Sequence, residues 1–206
     1  DYRSSRGLGD VYKRQGYDAD GICYLKNEIK KIEQTVTFAP RQNCSGYSAA
    51  ISLGKDIDVQ ELNKDTFVIS GTPADCSYFG LHGSKKFDFT QLVSGINLGS
   101  NLGTDIFYSG TVGAAIAGLK LRYPPIAFSV ASYQPKDLDF IAKKCVEICL
   151  YVRNTNIANR YLVNVNFPDI DENNYIGSKL TTLAEREKPE APICLLYTSP
   201  SPRDDR

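Results

Sequence analysis

Apolar positions follow two alternating rhythms along this chain. Ile22, Leu25, Ile29 and Ile32 fall at spacings of three and four, so residues 20–32 read as an amphipathic helix. TVTFAP follows, short, β-branched and closed by Pro40, and reads as a strand. RQNCSGYSAA is polar and small, a loop; DTFVIS is a second strand stopped by GTP. Pro73 suits the first position of a helix, so PADCSYFGLHG predicts one closed by Gly83. FTQLVSGIN reads as a strand running into the Gly/Asn loop LGSNLG, and SGTVGAAIAGLKLR as a small-residue helix with Ser109 near its N-cap. PIAFSVAS is a buried strand. Leu138, Ile141, Cys145, Ile148, Cys149 and Val152 then mark a long helix, and YLVNVNFP a last strand. DIDENNY reads as a loop and AEREKPEAP as a solvated extension. Strands alternating with helices imply an α/β domain with a largely parallel sheet. The first helix has no strand ahead of it, so a strand is expected upstream of Gly16.

The two ends break this pattern. Ser5–Gln15 can be back-translated to an oligonucleotide whose reverse complement, read one base in, encodes Cys194–Arg203. Both ends therefore read as translated transposon-type sequencing adapter, and such segments are set aside in fold reasoning. The expected organisation is residues 1–15 and 194–206 adapter-derived, with one domain over residues 16–193, cut at both ends. The chain contains no Met, as expected of a fragment without its initiator.

Composition narrows the function classes. A hydrophobic fraction of 42% is ample for a core. Lys plus Arg and Asp plus Glu number 24 each, so no broad basic surface for nucleic acid is implied. No apolar run reaches the ~20 residues of a membrane span. Setting aside Cys194, the cysteines at 23, 44, 76, 145 and 149 form no Cys-x-x-Cys pair, which points to reduced thiols and a cytoplasmic protein. Cys145 and Cys149, one helical turn apart, are expected as small buried residues. His82 is the only histidine and is expected partly exposed near a helix end; Cys76 is expected as a packed helix residue.

Candidate chemistry gathers in three loops, because ligands of parallel α/β sheets bind beyond the carboxyl ends of the strands. RQNCSG, SGINLGSNLG and FYSGTVGAA offer the hydroxyls of Ser45, Ser109 and Thr111, the carboxamides of Asn97 and Asn101, and backbone amides exposed at glycine. A helix start with free amides and hydroxyls suits an anion. Carboxamide and hydroxyl oxygens suit a hard cation such as Mg²⁺ or Mn²⁺ rather than zinc. Each loop alone is compatible with a simple turn; together they point to metal-assisted phosphoester hydrolysis. LGSNLG does not spell G-x-G-x-x-G, and no nucleophile triad emerges.

In order, APRQNCSG, SGTPADC, LVSGINLGSNLGTDIFYSGTVGAA and VNVNFP resemble the SurE family, the stationary-phase-survival 5′/3′-nucleotidases, over Gly16–Leu183. The resemblance implies a Rossmann-like three-layer phosphatase with one Mg²⁺ or Mn²⁺. Its substrates would be nucleoside monophosphates, with short polyphosphate added in some members. It implies metal ligation by Ser45 and Asn97 and phosphate contacts by Asn101, Ser109, Gly110 and Thr111. It also implies a homodimer or homotetramer for the intact protein, with dimer contacts from a C-terminal region that lies beyond the cut.

Several positions depart from the family pattern. The family's metal-binding aspartate pair, in an N-D-D-G turn, would stand where Arg14 and Gln15 are; Asp18 and Asp20 follow the Gly and are expected in the turn and helix start, as caps. Arg41 replaces a usual Asp and Ala49 a common Asn. The intact protein is thus expected to be an enzyme. The alternative, for the chain as written, is a nucleotide- or anion-binding module without turnover.

Overall fold

Strands and helices alternate in the computed structural model, which describes residues 16–83, 87–158 and 160–185. Helix α1 is Asp20–Ile29, shorter than the periodicity predicts; Ile32 is exposed and finds no core to continue the stripe. Asp20 opens the helix, but the N-cap is Ala19 with no side-chain cap bond, so neither Asp18 nor Asp20 caps it. Strand β1 (Thr37–Pro40) follows. The next strand, β2 (Val59–Asn63), is exposed along its whole length and so has no apolar signature; sequence reasoning missed it. Strand β3 (Thr66–Ile69) is buried throughout. Helix α2 (Pro73–Tyr78) starts with Pro73 in its first turn, as expected, and runs into a π-helical turn at Phe79–Gly83.

The second half comprises β4 (Val93–Leu98), α3 (Gly110–Ile116), β5 (Ile126–Val130), α4 (Leu138–Arg153) and β6 (Val163–Phe167). Short 3-10 turns at Gly103–Phe107, Ala117–Lys120 and Glu172–Asn174 tighten segments read as loop or as helix end. Asp137 caps α4, accepting from the Phe140 amide at 2.9 Å.

The described strands form two three-stranded sheets, ordered β1-β3-β2 and β4-β5-β6. Every pairing is parallel except that of β2 with β3. β5 is the centre of the second sheet and is buried on both faces, hence its unbroken apolar run. Alternate residues face opposite layers. Ile126, Phe128 and Val130 pack with Leu25 of α1 and with Ile141 and Cys145 of α4, while Ala127 packs against Val112 and Ala115 of α3. Burying a side chain such as Phe128 contributes about 2–3 kcal/mol. The result is a three-layer α/β arrangement. α1 lies so close to β4 that a Cβ at Gly21 would fall 2.0 Å from the Ile96 carbonyl oxygen.

Strands β1 and β4, each at an edge of its described sheet, and helix α1 line a cavity of about 1000 Å³. The strand expected upstream of Gly16, and the adapter expectation for residues 1–15 and 194–206, lie outside the described residues. The cysteines at 23, 44, 76, 145 and 149 are free, and Cys145 and Cys149 are buried, as the sequence implies.

Candidate functional site

The loop bearing Ser45 is seated on the first turns of α3, and glycines permit it. A Cβ at Gly110 would lie 3.2 Å from the Cys44 carbonyl oxygen, and one at Gly113 only 2.2 Å from that of Ser48. Ser48 fastens the far side, its amide donating to the Tyr108 carbonyl at 3.1 Å and its hydroxyl to the Phe107 carbonyl at 2.5 Å. Two stretches more than fifty residues apart in sequence are thereby joined. Ser45, Asn97, Asn101, Ser109, Gly110 and Thr111 all line the cavity described above. Gly16 lines it too, and a Cβ there would be 3.7 Å from the Pro40 carbonyl oxygen. Gly16 therefore stands at the carboxyl end of β1 and lines the same cavity as Ser45.

Each side chain has a defined setting. Ser45 is exposed in a turn whose next residue, Gly46, has φ +74°. The Asn97 Nδ2 donates to the Gly99 carbonyl at 2.7 Å, so Oδ1 is the atom it presents. Ser109 is the N-cap of α3, its Oγ accepting from the Val112 amide at 3.2 Å, with Gly110 and Thr111 the first helical residues. Asn101 is buried, its Nδ2 donates to the Ser129 Oγ at 2.7 Å, and the residue lines the cavity.

Sequence reasoning missed four neighbours. Asn43, two residues before Ser45, carries a buried Oδ1 with no hydrogen-bond partner among the described residues. Tyr133 follows β5 and places its ring 3.3 Å from where a Cβ of Gly99 would stand. Asn164 and Asn166 of β6 bond to Asn101; their N-x-N spacing on a strand put both on one face, the signal that could have found them.

Thiol and imidazole chemistry find no support in this geometry. Burial, reinforced by neighbouring Cys44 and Asp75, pushes the Cys76 thiol far up. Burial, with the Asp75 charge, also raises Cys44. His82 is exposed and rests on the Tyr78 ring, centroids 4.9 Å apart. Arg41 stands 3.8 Å from Asp58 in an exposed pair.

The oxygens of Ser45, Asn97 and the orphaned Asn43 fit a hard cation in donor type, with no nitrogen or sulfur among them. Charge is the shortfall, since no group of three His, Cys, Asp or Glu residues assembles among the described residues.

Comparison with known proteins gives a consistent result. Residues 14–190 match the family described as survival protein SurE. The chain is similar to the 5′-nucleotidase SurE of Acinetobacter baylyi, 38% identical over 160 residues, 75% of this chain and 63% of that protein. It therefore spans just under two thirds of that relative's length. It is 35% identical to the 5′-nucleotidase SurE of Pseudomonas syringae pv. tomato over 178 residues, 86% of this chain and 72% of the relative. Its fold resembles the crystal structure of the SurE protein from Aquifex aeolicus, with a TM-score of 0.78, 34% identity, and coverage of 84% of this chain and 71% of that one. The Rossmann-like three-layer fold implied by the motifs is the fold observed.

Proposed function

The chain belongs to the SurE family, and from that premise we propose that its intact form is a metal-dependent phosphomonoesterase acting on nucleoside 5′- and 3′-monophosphates, with short polyphosphate as a further substrate. The observation that supports the reading most is the convergence of Ser45, Asn97, Asn101, Ser109, Gly110 and Thr111 on one cavity at the strand ends. Ser109, Gly110 and Thr111 receive the phosphate with hydroxyls and backbone amides at the start of α3. Asn101 contributes an amide N–H from the opposite loop. Ser45 Oγ and Asn97 Oδ1 would hold one Mg²⁺ or Mn²⁺, with the Asn43 Oδ1 within the same loop. Bound there, the cation would lower the pKa of a water and neutralise charge growing on the phosphoryl group.

For the chain as written a second reading holds. Arg14 and Gln15 stand where the family's carboxylate pair belongs, and no acidic cluster forms among the described residues. The remaining donors are neutral, so divalent affinity collapses and the product is an anion binder without turnover.

The experiment is steady-state phosphate release from AMP by the intact gene product, with Mn²⁺ or with chelator. Release should require the metal, and Asn97→Ala should lower kcat/KM by roughly 100-fold, the scale of a lost transition-state contact. Metal-independent release unaffected by Asn97→Ala would reject the reading.

A further inference from the structure

We infer that Asn164 and Asn166 of β6, acting with Ser129 of β5, are positioning residues that fix Asn101 in the geometry required for phosphate. The inference rests on the nucleotidase reading and extends it to residues that the reading does not need. Asn166 treats the Asn101 peptide as a strand partner would: its Oδ1 accepts from the Asn101 amide at 2.8 Å and its Nδ2 donates to the Asn101 carbonyl at 3.0 Å. Asn164 Nδ2 donates to the same carbonyl at 2.9 Å. Ser129 Oγ accepts from the Asn101 side chain at 2.7 Å. Backbone donor, backbone acceptor and side chain of one loop residue are thus all held by the second sheet.

A purely structural demand would not select these residues. Val163, Val165 and Phe167 point into the apolar core, and on the other face β5 places Ala127 against α3. Asn164 pairs with Ala127 across the parallel ladder, and asparagine is depleted in strands. Asn164 also keeps a buried Oδ1 with no partner among the described residues, a cost that valine would avoid. Moreover, Asn97, Ser129 and Asn166 are in register across β4, β5 and β6, so one row joins the candidate cation ligand to the clamp on Asn101.

The test uses the full chain and two readouts, amide hydrogen exchange at Asn101 and affinity for AMP and inorganic phosphate by calorimetry. Asn164→Val removes an unpartnered oxygen and should leave the thermal midpoint within a few degrees, whereas Asn166→Leu and Ser129→Ala strip partners from Asn101 and should lower it by a few degrees. Asn166→Leu should speed Asn101 exchange at least tenfold and weaken AMP at least tenfold, and Ser129→Ala should weaken AMP severalfold. Asn166→Asp, which keeps the acceptor but loses the donor, should fall between. Unchanged exchange and unchanged affinity in Asn166→Leu would overturn the inference, as would a loss of affinity that merely follows a fall in stability across all variants. Should Asn166→Leu fail to fold, Ser129→Ala decides by the same two readouts. If the wild-type chain binds neither AMP nor phosphate, the anion-binding reading of this chain fails, while unchanged Asn101 exchange in the variants would still reject the clamp.

Discussion

Asp75 is a buried carboxylate whose role is structural. Its Oδ atoms accept from the Ser52 amide at 2.9 Å, the Ser52 hydroxyl at 2.8 Å and the Thr72 amide at 2.8 Å, closing a capping box with Thr72. Burial opposes its ionisation, but these bonds outweigh it and hold the carboxyl below its ordinary 3.8. A carboxyl so depressed stabilises fully above its unfolded value and loses that contribution as pH falls through the folded one. Asp75→Asn should therefore cost about 2 kcal/mol at pH 7 in urea unfolding, and the gap from wild type should start to narrow below about pH 4 and keep shrinking as pH falls further. Thiol reactivity gives a second check. Burial pushes Cys149 up to about 12 and Cys145 well above its ordinary value. With Cys76, both should resist a thiol reagent at pH 8 in the folded chain and react once it is unfolded. At this scale the sequence exposed the hydroxyls and carboxamides of the loops, because their chemistry is local. It hid Asn101's burial and Asn43's orphaned oxygen, which depend on partners distant in sequence.

Elements that carry a strong apolar period were legible: α4, β3, β5 and β6 stand where their patterns placed them. Elements shaped by contact were not. β2 has no apolar face, and α1 stops at Ile29 because Ile32 meets solvent. Two glycines set how elements approach. A Cβ at Gly21 would overlap the Ile96 carbonyl and one at Gly113 that of Ser48, both backbone atoms with little room to yield. Gly21→Ala should push α1 off β4 and lower stability by about 1–3 kcal/mol, read by thermal unfolding. Gly113→Ala should act more locally, lifting the Ser45 loop from α3 and weakening phosphate binding beyond what its stability loss explains.

For the whole molecule, the residues proposed to hold phosphate and metal line one cavity, and no cluster of three His, Cys, Asp or Glu residues stands among the described residues. No helix among the described residues is long and apolar enough to cross a membrane. We propose that the intact protein is a homodimer or homotetramer. Ile176 and Leu180 are fully exposed in the segment after β6, and replacing both with serine should shift the mass measured by light scattering toward the monomer. The order of the strand-end loops was readable because the motifs are contiguous; the cavity that unites them was not, since its lining comes from segments far apart in sequence. We propose that catalysis needs a carboxylate pair immediately before Gly16, where Arg14 and Gln15 stand. The most direct test is Mn²⁺-dependent phosphate release from AMP. It compares the chain as written with one whose residues 1–15 are replaced by an apolar strand ending in Asn-Asp-Asp. Release is expected from the second chain alone and should be abolished by chelator. Metal-dependent release by the chain as written, or none from the restored chain when it is folded, would contradict it.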